Sequence, residues 1–179
     1  MDLSAELFKL LSTVEVILRN AMALGLSELH RSRGGDGNWL LDPAFVLTPH
    51  HKVHVNDAIE RLSRRGQILT LDSMIPELNF GFWRYLLAKR YVAKFWAGAF
   101  RYGLPGVGND QVKSFVARVG RLHEIRNRIA HHEPIFGRRL DLDHRDCLLV
   151  LGAVCPVTAQ WAEGISRIPE VLANTPLLR

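Results

Sequence analysis

Residues 120–134 read Gly120-Arg121-Leu122-His123-Glu124-Ile125-Arg126-Asn127-Arg128-Ile129-Ala130-His131-His132-Glu133-Pro134. They close a helical pattern that opens at Asn109 or Asp110, the expected caps. Pro134 stops it, because the residue before a proline is pushed out of α geometry. On a helix turning about 100° per residue, Val112, Phe115, Val119, Leu122 and Ile129 all fall within about 60° of Arg126. This helix, about 109–133, therefore sets an arginine at the centre of its apolar stripe, where packing alone expects leucine. A guanidinium there cannot lose its charge. It needs a carboxylate, for instance Glu15 on the first helix, or a surface formed with another chain. His131 and His132 are expected in the last helical turn, where unpaired carbonyls favour a protonated imidazole in general.

Helical period continues outward from this stretch. Apolar residues at 3, 7, 10, 11, 14, 17, 18, 21 and 24 predict an amphipathic helix from Asp2 to about Arg31. Arg33-Gly34-Gly35-Asp36-Gly37-Asn38 ends it as a loop. Thr48-Pro49 reads as cap and first residue of a second helix, which stops at Gly66. Asp72 to Leu78 reads as a short helical piece, and Phe82 to Tyr102 as a helix with a break near Gly98. Asp141 or Asp143 opens another helix, broken at Pro156 and resuming to about Gly164, and Ser166 to Ala173 forms a short terminal piece. No strand alternation, hairpin dipeptide or internal repeat stands out. An all-α bundle of five to seven helices follows, with 1–179 as one domain.

Composition agrees with a folded globular chain. Of 179 residues, 47% are hydrophobic and 23% charged, which excludes disordered, collagen-like and disulfide-scaffold classes. No run of about 18 uncharged apolar residues indicates a membrane span. The start, Met1-Asp2-Leu3-Ser4, lacks the basic and apolar parts of a secretory signal, so the expected location is cytoplasmic. Cys147 and Cys155 then read as two small core residues in a reducing compartment. Lys plus Arg is 23 against 18 Asp plus Glu, a net charge of +5, which favours polyanionic partners, nucleic acid first.

Three blocks resemble a known family. Arg126-Asn127-Arg128-Ile129-Ala130-His131 fits the signature of the HEPN superfamily: an arginine, a polar residue, and a histidine four to six residues on. Ile125-Arg126-Asn127 through Ala130-His131-His132 looks more narrowly like its Abi-like (abortive infection) branch. Val14-Glu15-Val16-Ile17-Leu18-Arg19-Asn20-Ala21 resembles that branch's early helix. Glu77-Leu78-Asn79-Phe80-Gly81-Phe82-Trp83-Arg84-Tyr85-Leu86-Leu87 resembles its central block, so the likeness runs from about residue 4 to residue 136. Relatives in that branch carry a further aromatic helix ahead of the block matched by Leu3-Ser4, so a shortened variant and a start upstream of Met1 both remain open.

The resemblance implies a helical bundle that forms a homodimer, with two motif helices meeting at a composite cleft. It implies a metal-independent endoribonuclease used in phage defence or as a toxin, held by an antitoxin or released by a phage-derived trigger. The family pattern maps arginine onto Arg126, the polar residue onto Asn127 and the histidine onto His131, with His132 as its natural substitute. Glu15 and Arg19, an i, i+4 pair, are candidate supports for Arg126. RNA carries its own nucleophile, the 2′-OH. Cleavage then needs a group to take that proton, a group to protonate the leaving 5′-oxygen, and a cation for the charge growing at phosphorus. Imidazole exchanges protons near neutrality, and an arginine fork grips two phosphate oxygens. The expected products are a 2′,3′-cyclic phosphate and a 5′-hydroxyl. The rival expectation is a non-catalytic HEPN module that binds RNA or a partner protein.

Other features carry less. His50 and His54 have a spacing used by zinc proteins, but no cysteine or suitably placed glutamate accompanies them, so neither a metal nor another cofactor is expected. Phe82, Trp83, Phe95, Trp96 and Phe100 read as core. Arg61, Arg64, Arg65, Lys89, Arg90 and Lys94 read equally as an RNA-facing surface and as a solvated face. Gly103 to Gly108 lacks the Gly-Lys-Ser/Thr of a phosphate loop.

Overall fold

The computed structural model of this chain describes residues 2–45 and 47–174, so Met1 lies outside it. Its regular elements are all helical, with no strand among the described residues. In chain order they are α1 (Asp2–Ser32), α2 (Pro49–Arg64), α3 (Leu71–Met74), α4 (Phe80–Leu86), α5 (Lys89–Phe95), α6 (Arg101–Gly103), α7 (Val112–Ala130), α8 (Leu140–Val154), α9 (Pro156–Ile165) and α10 (Ile168–Ala173). None of the described helices is long and apolar enough to cross a membrane. Two compact units divide the chain. The first holds residues 1–18 and 105–179, and the second holds residues 19–104. Helix α1, 31 residues and so about 46 Å long, contributes to both.

In the first unit, the apolar stripe of α1 buries Leu7, Leu11 and Val14 completely, and α7 does the same with Val119, Leu122 and Ile125. Ion pairs link α7 to α8. Arg121 donates twice to Asp146 Oδ2, at 2.9 and 2.6 Å, and Arg118 lies 3.3 Å from the same carboxylate. Helices α8 and α9 are separate because Cys155 turns extended and Pro156 begins the next helix at its first position. That break removes Cys155 from the core, contrary to the expectation for it. Cys147, on α8, is wholly buried, and burial raises its thiol far above the ordinary range. Both thiols are free.

The second unit is built on aromatic rings. Trp39, Phe80, Phe82, Trp83, Phe95 and Phe100 are fully buried, so the expected core aromatics are core. The run from Phe82 to Tyr102 is not one helix. It breaks at Leu87 and Ala88, where Ala88 turns extended, and it widens into a π-helical turn at Trp96–Phe100 rather than ending at Gly98. Close backbone contact marks the π-helical turn and the short helix after it. A Cβ on Gly25 would stand 2.2 Å from the Ala99 oxygen, and one on Gly103 would stand 2.0 Å from the Ala21 oxygen. The loop after α1 is pinned as well: the Gly37 N–H donates to His30 Nδ1 at 3.0 Å, leaving Nε2 to meet Asp42 at 3.0 Å.

Candidate functional site

Helix α7 grows from a single 3-10 turn at Asn109–Gln111, so neither Asn109 nor Asp110 caps it directly. Its buried face is Phe115, Val119, Leu122 and Ile125. Ile125 lies about 100° round the helix from Arg126, which shifts the centre of the buried face away from the arginine. The expectation of Arg126 at the middle of that stripe is corrected accordingly. Arg126 sits at its edge, with 29% of its side chain exposed, and its Nε lies 3.4 Å from Glu15 Oε2. Glu15 is the more buried partner, at 15%.

From Arg126 a polar chain runs back along the helix. Arg126 Nη1 donates to Asn127 Oδ1 at 3.4 Å, and the Asn127 amide nitrogen meets His123 Nε2 at 3.2 Å. His123 is a site residue that sequence reasoning did not single out. The available signal was its position four residues before Asn127, one turn away on the same face. Nη2 of Arg126 makes no hydrogen bond among the described residues.

The end of α7 comes two to three residues earlier than expected. The helix stops at Ala130, so His131 is its C-cap and His132 lies outside it. Two bonds close the end: the His132 N–H donates to the Ile129 carbonyl at 3.1 Å, and the Glu133 N–H to the Arg128 carbonyl at 2.8 Å. That is the Schellman arrangement, which demands a left-handed residue at its centre, usually glycine. Here His132 fills the place with φ 58°. Both imidazoles are exposed. A cleft of about 770 Å³ lies beside this helix end, lined by Ser4, Ala5, Phe8, Ile129, Ala130, His132 and Glu133. It is His132, not His131, that borders it.

The loop beyond is held rigidly. Arg138 grips Asp143 with two donors at 3.1 Å and reaches Glu124 on α7 at 2.9 Å. Hydrogen bonding to Asp143 raises its already high pKa further. Every arginine of α7 is paired: Arg118 and Arg121 with Asp146, Arg126 with Glu15, Arg128 with Glu133. Arg19 belongs to the second unit, where its Nε is buried and lacks a hydrogen-bond partner. Glu15, Arg126, Asn127, His123, His131 and His132 belong to the first unit.

Chemically, this corner of the first unit offers one fixed cation, a carboxamide beside it, and imidazoles that solvent can reach. No group of three or more His, Cys, Asp or Glu side chains is placed to hold a metal ion among the described residues. Compared with models of protein families, with curated proteins and with solved structures, the chain matches none of them.

Proposed function

We propose that this chain is a cytoplasmic, metal-independent endoribonuclease of phage-defence or toxin type, acting as a homodimer. The reading joins the resemblance of the Arg126 to His131 block to one observation. Arg126 makes no hydrogen bond through Nη2 among the described residues and keeps 29% of its side chain exposed, five residues before an exposed imidazole. A guanidinium serving packing alone has no need of that open edge. In the proposed reaction Arg126 holds the phosphate, and an imidazole takes the 2′-hydroxyl proton. The 2′-oxygen then attacks phosphorus, and a second imidazole protonates the departing 5′-oxygen. The second imidazole comes from His132 or from the other subunit, since a two-fold dimer doubles the groups available. Asn127, bonded to Arg126, holds its guanidinium in place. An antitoxin or a phage-derived trigger would control such an enzyme.

A second reading is a non-catalytic HEPN module that binds RNA or a partner protein. The Glu15–Arg126 ion pair favours it, because it gives the arginine a structural use. Incubating purified protein with total RNA in EDTA separates the two. The enzyme yields fragments with 2′,3′-cyclic phosphate ends, and His131→Ala abolishes them. Absence of cleavage, or cleavage only with added Mg²⁺ or Mn²⁺, overturns the first reading.

A further inference from the structure

The two units carry charge very differently. Residues 1–18 and 105–179 hold 11 Lys and Arg and 11 Asp and Glu, and so are neutral apart from histidine. Residues 19–104 hold 12 against 7, which is the whole net charge of +5. Within that unit the excess is local. From Leu78 to Asn109 there is no Asp or Glu, while Arg84, Lys89, Arg90, Lys94 and Arg101 supply five cations.

Ion pairing separates these cations from the other basic cluster of the unit. Arg61 and Arg65 both bind Glu77, at 2.8 and 2.5 Å, and Arg64 is paired with Glu60. Each of those arginines has a carboxylate partner, with Glu77 shared between two of them. Arg84, Lys89, Arg90 and Lys94, on α4 and α5, have no carboxylate partner among the described residues. Rings take that place: the Arg84 guanidinium stands 4.7 Å from the Tyr85 ring, Arg90 stands 5.8 Å from Tyr91, and the Lys94 ammonium stands 5.4 Å from Phe95. Tyr91 and Phe95 are core rings, but Tyr85 is 42% exposed. His50, at the start of α2, sets its ring 5.8 Å from Tyr85 and 4.8 Å from His54. That first turn of α2 holds no acid, where helices ordinarily favour one.

Unpaired cations spaced along a surface, with exposed flat rings among them, suit a flexible polyanion whose bases are free to stack. A duplex offers the phosphates but hides the bases. We propose that the α4–α5 face, through Arg84, Lys89, Arg90 and Lys94 with Tyr85 beside them, binds single-stranded RNA. This rests on RNA being the substrate, and it names the unit that grips the strand as the one without the Arg126 motif.

The test measures binding apart from cleavage. A fluorescent single-stranded RNA with 2′-O-methyl groups at every ribose has no nucleophile and stays intact. Anisotropy follows its binding to the full chain across a salt series. Arg84→Gln/Lys89→Gln/Arg90→Gln/Lys94→Gln is compared with Arg31→Gln/Arg61→Gln/Arg64→Gln/Arg65→Gln, which removes the same charge from paired arginines of the same unit. The first variant is expected to weaken binding at least tenfold. It should also flatten the plot of log affinity against log salt by about 3, four phosphate contacts at about 0.7 each. The control is expected to change affinity less than threefold, and Tyr85→Ala to erase the preference for single strand over duplex. Equal losses in the two variants, duplex bound as tightly as single strand, binding to phosphatidylserine vesicles in place of RNA, or no RNA binding by the wild type would each overturn the proposal. Lys89→Gln alone, at an exposed site, repeats the comparison if either multiple variant melts early. Cleavage is scored separately on unmodified RNA. A wild type that binds through this face but does not cut overturns the enzyme reading and leaves this one standing. A quadruple variant that binds and cuts normally does the reverse.

Discussion

Six of the eight histidines fall in two groups of three, one on α2 and one on and just beyond α7, and the two are used in opposite ways. On α2, His51 is 3% exposed and its Nδ1 meets the Thr48 hydroxyl at 2.7 Å and the Tyr91 hydroxyl at 3.3 Å. The Phe82 and Tyr91 rings face it edge-on, each 5.1 Å away. It is a packing residue with a polar handle, and His50 and His54 cover it from outside. At the end of α7, His131 and His132 pack little and lie in solvent. His132 even occupies a backbone conformation that a side chain disfavours. A histidine that stabilises its surroundings explains itself. One that the fold would exchange for glycine calls for another account, and the proposed RNA cleavage would supply one.

The largest expected effect that could break this contrast is on activity. His131→Ala, Arg126→Ala and Arg126→Lys should each lower RNA cleavage on the order of a hundredfold, about 3 kcal/mol of transition-state stabilisation. Lysine fails nearly as badly as alanine because it lacks the planar fork. His131→Ala should leave the melting temperature within a degree or two. A variant of Arg126 that melts early yet cuts at the wild-type rate per folded molecule assigns that residue to the Glu15 ion pair alone.

Stability comes next, and here the other histidine dominates. His51→Ala should cost roughly 3 kcal/mol and lower the melting temperature by about 6–12 °C, since it empties a buried ring site. Wild-type stability should also depend on acid. Burial first, then the charge of neighbouring His50, hold the His51 imidazole down at about 4 from its ordinary 6.5. Between those values the unfolded chain takes up a proton that the folded chain refuses. Stability is therefore whole above pH 6.5 and falls as pH drops toward 4. Chemical denaturation at pH 7 and pH 5 checks this, and His51→Gln should flatten the difference. An unchanged slope would move the acid sensitivity elsewhere.

The smallest effect sharpens the contrast most. His132→Gly should raise stability by up to about 1 kcal/mol, because glycine enters the left-handed region without the Cβ clash. The other two helix ends of this kind already use it: α1 closes on Gly34 at φ 89° and α2 on Gly66 at φ 63°. A loss of stability in differential scanning calorimetry would mean that the imidazole has packing value in the cleft beside Phe8.

Much of this was legible in the chain. The period of α1, and Pro49 and Gly66 around α2, place those helices to within about a residue of where they lie. Period failed between Phe82 and Tyr102, where the chain breaks at Leu87–Ala88 and widens into a π-helical turn whose Ala99 lies in close backbone contact with Gly25. No local pattern encodes such a contact. At the site, Glu15 was identified as a partner because an arginine near an apolar stripe demands a carboxylate. The position of Arg126 at the edge was not, because Ile125 was left out of the stripe and the core turned toward it. Pro134 predicts a stop that takes in His131 and His132, whereas the Schellman turn ends α7 at Ala130, two to three residues earlier.

The break at Cys155 also leaves the molecule with an internal clock. Hydrogen bonding to Thr158, with its backbone contribution largest, lowers the Cys155 thiol, whereas Cys147 is sealed inside α8 with its thiol pushed up. In an alkylating reagent Cys155 should be modified in the native state at once. Cys147 should wait for the first unit to open, so its rate of modification counts openings per hour of the half of the chain that carries Arg126 and His131.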